Sequence, residues 1–436
     1  MARIRLTVCA VILLLVPLAA GAVPLAHREV LAQGAVLLVA ERPAIPIVVV
    51  RFYVRAGSAF DPPDTPGLAN LTADVLTRGT LKRTGPELDR AIEFVGGSLE
   101  GDAGRDGATI SLSVLKKDLG LGLDLLAEVL LQPTFPHAEL KRRSEDIAAA
   151  IVRSEQDPGT VTSRVMAELL YPGHPYSRPV PGTAESVRRI TREQVTAFHR
   201  DHYRPDGVVI SVVGDVTVDE IRRALMSRLG GWTAPAGARR EIPMAPSTPP
   251  VEHRSIKRAL TQATVSLGRP GIRHDHPDYF PLVVANYILG GGSASRLYNR
   301  VREERGLAYS VYSFPSPAPH GPAYFVGLQT RLDAVDEAVG LVKAEMSRMG
   351  REAVTARELE LAKSYLIGSY PLRTDTSGKV AELLISIEEN QLGLDWPDRF
   401  KAGVARVTAA DVVRVAATYM DPATFSSVIV GQVVGQ

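Results

Sequence analysis

The sequence predicts two α+β domains of similar build, and three observations carry that prediction. Strand-like β-branched runs are interspersed with segments of helical apolar spacing along the chain. A proline-rich stretch without periodicity, Thr233–Pro250 (TAPAGARREIPMAPSTPP), reads as an interdomain linker. An internal echo relates the two sides of that linker. Ile190-Thr191 opens a helix leading to Tyr203, Pro205 and the strand VVISVVGDV; Val407-Thr408 opens one leading to Tyr419, Pro422 and FSSVIVGQV. Thr191 stands as far from Gly214 as Thr408 does from Gly431. Tyr203 and Tyr419 fall one residue out of step, as a loop insertion would leave them.

The elements follow in order. Ile47–Val54 (IVVVRFYV) reads as a buried strand, Gly67 to Leu76 as a helix, and Pro86 to Val95 as another helix stopped by Gly96-Gly97. Ala108–Leu115 alternates as a strand does. Leu119–Leu131 and Ala138–Glu155 have helical spacing, and Val208–Val213 is a strand. Beyond the linker come strand Ala263–Leu267, helix Tyr279–Leu289, strand Ala323–Gln329, and helices Leu332–Met349 and Ala356–Tyr370.

Composition narrows the function classes. The 436 residues are 45% hydrophobic and 22% charged, the balance of a globular protein. A net charge of +2 lacks the basic excess that marks nucleic-acid binding, so no nucleic-acid partner is expected. Arg3 and Arg5 precede the apolar run Leu6–Ala20, followed by Ala20-Gly21-Ala22. This predicts a signal peptide over residues 1–22, with cleavage after Ala22 and a periplasmic or secreted product. The run is short of the roughly 20 residues a spanning helix needs, and no later segment is long and apolar enough. Cys9, the only cysteine, lies in that leader, so the mature chain has no thiolate for a disulfide or a metal. The expected domains are 23–232 and 251–436, joined by 233–250.

A series of short motifs falls in order across both halves. They include GLANLTADVLTRGT at Gly67–Thr80, Gly96-Gly97-Ser98-Leu99, Gln132-Pro133-Thr134-Phe135 and His174-Pro175-Tyr176. Tyr203-Arg204-Pro205, Gly290–Gly292 with Ser295-Arg296-Leu297, and VREERGLAYS at Val301–Ser310 follow. In order and spacing the chain resembles the pitrilysin/insulinase-like inverted-motif zinc peptidases, most of all a non-catalytic processing-peptidase subunit. The resemblance implies a mainly antiparallel sheet in each half with helices on one face, the halves forming a clam-like shell.

In that family a helix carries His-x-x-Glu-His, whose histidines bind Zn²⁺ and whose glutamate is the general base, with a distal glutamate completing the metal shell. The matching positions here are Asn70, Ala73, Asp74 and Ala150. Alanine neither binds metal nor accepts a proton, and one carboxylate is not a site. No metal is therefore expected in this chain. A rearranged site of Asp74 with Glu145 or Glu155 is disfavoured by the ligand number zinc needs, and Glu155, about 500° of helical turn past Ala150, should not face the same point. His199, His202, His274 and His276 read as surface or turn residues.

The second half keeps Arg302 and Tyr309, seven apart. The resemblance implies that such a pair reaches a zinc site, the phenol stabilising an oxyanion and the guanidinium holding substrate. Gly290, Gly291 and Gly292 match a substrate-contacting glycine loop of the family; a plain helix stop reads equally well. Glu100, Gly101 and Ala103 replace an Asn-Ala-x-Thr edge-strand motif, which weakens peptide binding there. The expected function is a non-catalytic subunit inactive alone, lending Arg302 and Tyr309 in trans to a homologous partner that has His-x-x-Glu-His, holds the zinc and acts on peptides. The alternatives are a scaffold or a peptide-binding protein of the same fold.

Overall fold

The computed structural model describes residues 24–234 and 236–431; the leader reading and Cys9 lie outside them. The first half builds a six-stranded sheet. Its strands are β1 (His27–Val30), β2 (Val36–Glu41), β3 (Ile47–Val54), β4 (Ser98–Ala103), β5 (Ala108–Leu115) and β6 (Val209–Gly214), in the order β1-β2-β6-β3-β5-β4. The second half builds a five-stranded sheet from β7 (His253–Ile256), β8 (Gln262–Pro270), β9 (Ala308–Ser316), β10 (Ala323–Arg331) and β11 (Ser426–Val430). Its order is β7-β11-β8-β10-β9. Among the described residues only the pairs β2/β6 and β7/β11 run parallel. Without β1 the two orders are the same path, so the expected duplication is present in the topology.

The echo has a local cause. Thr191 and Thr408 each cap a helix, accepting from the backbone N–H of Gln194 at 3.3 Å and of Asp411 at 3.2 Å, and their third residues bond back. Gly214 and Gly431 end the matching strands at φ +152° and +155°, where a side chain is strained. A Cβ on Gly214 would fall 2.1 Å from the Ile47 carbonyl oxygen, and one on Gly431 would fall 3.1 Å from Ala263 Cα. Both glycines thus let the last strand of a half close against the first residues of its central neighbour.

Helices of each half cover one face of its own sheet, as expected. The other face is covered by a helix borrowed from the other half. Helix Pro158–Leu170 lies on β8 and β11, and helix Ser377–Glu389 lies on β3 and β6. Gly268 of β8 leaves room for Met166, whose sulfur would be 2.6 Å from a Cβ there. Val380, Ala381, Leu384 and Ile385 close over Leu38, Ala40, Val209 and Val213. The two helices hold the same place in the repeat, third in the run of long helices after each sheet hairpin, so the exchange is reciprocal.

The linker is a strap rather than a free tether. The Pro243 carbonyl accepts from His174 Nε2 at 2.8 Å, the Ala245 N–H donates to the His320 carbonyl at 2.7 Å, and Ile242 is buried. His199 and His202 correct the surface reading. Both pack among aromatic rings, at 5.6 Å from Phe135 and 4.4 Å from Phe198, and burial pushes each imidazole down to about 4, so they are neutral near pH 7.

Candidate functional site

The degenerate motif sits on helix Leu68–Val75, whose N-terminus is held by Asp61. That carboxylate accepts from Gly67 N–H and Ala69 N–H, both at 2.8 Å, and is 1% exposed. Burial pushes Asp61 up to about 7, against the pull of those N–H groups and the Arg178 guanidinium. Its folded pKa lies above the unfolded value of about 3.9. Its contribution is therefore fully present below that value and declines as pH rises towards 7. Asp61→Asn is expected to flatten the dependence of the urea midpoint on pH between about 4 and 7. An unchanged slope would show that Asp61 is not the titrating group.

Along this helix Ala73 is fully buried, with its carbonyl pressed against Gly101 of β4; a Cβ at Gly101 would lie 2.4 Å from that oxygen. Asp74 faces helix His137–Ser154. Arg143 Nε donates to its Oδ1 at 2.6 Å, and Arg143 Nη2 donates to Oδ2. Both carboxylate oxygens are thus engaged by one planar guanidinium. Ala150, two turns beyond Arg143, is solvent-exposed. Glu145 pairs with Arg188 at 2.9 Å and Glu155 with Arg164 at 3.2 Å, which commits the carboxylates of a rearranged site elsewhere. Among the described residues no three His, Cys, Asp or Glu side chains converge as metal ligands. A zinc ion does not fit the donor set at Asn70, Ala73, Asp74 and Ala150.

In the second half, Arg302 lies on the helical turn Tyr298–Glu303 and Tyr309 on β9. β9 pairs with β10 as Ser310↔Gln329 and then Ala308↔Thr330, so Tyr309 is the extra residue of a β-bulge. Bulges re-aim side chains, and Tyr309 is 76% exposed. The Arg302 guanidinium lies 5.2 Å from the Tyr309 ring and 4.8 Å from the Tyr298 ring. Its nearest carboxylate is Glu303, at 3.8 Å. Among the described residues neither Arg302 nor the Tyr309 hydroxyl makes a hydrogen bond.

Gly290–Gly292 end helix Tyr279–Gly290 without a left-handed residue. Gly290 is required by close approach: a Cβ there would fall 2.5 Å from Ser313 Oγ. The structure brings Asn70, Ala73 and Asp74 beside the helix of Arg143 and Ala150, and brings Arg302 to Tyr309. It does not join the two groups. The cleft at Asp74 is lined by Arg78, Glu100, Asp102 and Arg143, whereas that at Gly290–Gly292 is lined by Tyr298 and Val311–Phe314.

Sequence reasoning missed Arg143, whose pairing spans 69 residues, and a polar cavity of 370 Å³ at the seam of the halves. There Tyr53 donates to Glu389 from the other half, and His320 meets Asp106 at 3.0 Å. Burial raises the Glu389 carboxyl, and the neighbouring Asp106 charge adds to the shift.

Comparison with known proteins bears on the family and the fold. Residues 36–184 match the family model described as insulinase (peptidase family M16), and residues 189–366 match the peptidase M16 inactive domain. An uncharacterized zinc protease of Streptomyces coelicolor is 26% identical over 404 residues, 89% of this chain and 86% of that protein. The non-peptidase homolog YmxG of Helicobacter pylori is 27% identical over 81% of each chain. The crystal structure of a peptidase M16 inactive domain from Pseudomonas fluorescens superposes with a TM-score of 0.89 at 28% identity, covering 94% of this chain and 98% of that one.

Proposed function

The chain belongs to the insulinase (M16) peptidase family, and from that premise we propose that it is the non-catalytic subunit of a two-chain zinc peptidase. One observation carries the reading: Ala73 is fully buried and both carboxylate oxygens of Asp74 are held by Arg143, while Arg302 and the exposed Tyr309 make no side-chain hydrogen bond among the described residues. A homologous partner with His-x-x-Glu-His would hold the zinc. This chain would present a phenolic O–H to the developing oxyanion and a guanidinium to the substrate backbone. The N-terminal leader pattern supports an extracytoplasmic complex. That a relative is named a non-peptidase homolog favours a second reading, peptide binding without cleavage.

Co-expression with a homologue that carries the intact motif tests the proposal. The two chains should copurify and cleave unstructured peptides in a chelator-sensitive way, while this chain alone binds no zinc and cleaves nothing. Stoichiometric zinc and hydrolysis in this chain alone would overturn it.

A further inference from the structure

The second sheet ends in a strand with one open side. Among the described residues β9 is bonded to β10 only, and no backbone group from 309 to 316 bonds beyond the sheet. Tyr312 and Phe314 project from its face away from the core, 48% and 43% exposed. Their rings lie 6.0 Å apart, and Phe314 lies 5.2 Å from Phe325 of β10. Tyr312 rests over Gly327, where a Cβ would fall 2.6 Å from its ring. A cleft of 280 Å³ borders this strand. Natural edge strands are usually blunted by charge, bulges or cover, because an open apolar edge recruits another strand. β9 (AYSVYSFPS) carries no charge. Its bulge lies at one end and Pro315 near the other, which leaves the middle open. The matching edge of the first half, β4, instead shows Ser98, Glu100 and Asp102 to solvent.

We infer that β9 binds an extended peptide with a carboxylate beside Arg302 and bulky apolar side chains at alternate positions over Tyr312 and Phe314. Charge complementarity selects this occupant. Arg302 stands at the start of the strand with no hydrogen bond among the described residues and its nearest carboxylate at 3.8 Å. A second copy laid edge to edge would bring only another uncharged β9. Backbone bonding along the edge supplies affinity, and the alternating side chains supply choice. At about 3.3 Å per residue, the carboxylate lies roughly 10 Å from the first apolar contact. This site needs neither a partner chain nor a metal, and so goes beyond the two-chain peptidase.

Fluorescence polarisation of the isolated chain tests it. The probe is a fluorescein-labelled eight-residue peptide with phenylalanine alternating with serine and a free C-terminal carboxylate. The expected result is saturable binding, about tenfold weaker for the C-terminal amide and absent when prolines replace the serines. Phe314→Ser should weaken binding about tenfold or more, and Arg302→Gln should abolish the difference between acid and amide. Equal binding of acid and amide to the unaltered chain, or binding of the proline peptide, would overturn the proposal without reliance on any variant. So would a dimer in sedimentation that Phe314→Ser dissolves while no peptide binds. The assay omits partner and zinc, so loss of the peptidase reading leaves its result intact, and a failed binding test leaves that reading intact.

Discussion

Tyr309→Phe is expected to lower kcat of the reconstituted two-chain peptidase by about 10²–10³, with little change in KM. The substitution removes one oxygen from a side chain that is 76% exposed and makes no hydrogen bond among the described residues. Folding of the isolated chain should therefore not register it. An O–H that meets charge only in the transition state affects the rate and not ground-state binding. Steady-state kinetics of complexes purified in parallel, with matched thermal melts, measure this. Full activity for Tyr309→Phe would remove the in-trans role.

The second large effect concerns the exchanged helices. Leu384, on the helix lent to the first sheet, is fully buried against that sheet. Leu384→Ala is expected to cost about 3–5 kcal/mol, the transfer and cavity terms for a buried leucine. The loss should appear in both halves at once, because each sheet depends on a helix from the other. The chain holds two tryptophans, Trp232 in the first half and Trp396 in the second, both buried. Trp232→Phe and Trp396→Phe each leave a reporter in one half. Their urea transitions should coincide, and both should shift together when Leu384 is truncated. Separate transitions would show that the halves fold independently.

What the sequence made legible was local. Thr191, Thr408, Gly214 and Gly431 announce caps and strand ends through their own chemistry, so the duplication could be read from them. Ile47–Val54 and Ala108–Leu115 declare themselves by β-branched content and alternation. β4 (SLEGDA) and β9 (AYSVYSFPS) do not, because glycine, proline and polar residues dilute an edge strand. The helices that carry Asn70, Ala73, Asp74 and Ala150 were legible from their apolar spacing. That Arg143 closes over Asp74, and that Met166 fits over Gly268, depends on contacts distant in sequence. The imidazoles of His199 and His202 were misread for the same reason, since Phe60 and Phe135 come from remote segments.

The reciprocal loan of helices Pro158–Leu170 and Ser377–Glu389 has an ancestral reading. It is the arrangement that joining two protomers of a domain-swapped homodimer end to end through the strap 233–250 would leave. In such a homodimer any mutation falls on both protomers, and two-fold symmetry keeps their surfaces alike. Fusion lifts that constraint. Two fused copies can carry different side chains, as Asp74 under Arg143 in the first half and the exposed Tyr309 in the second do here.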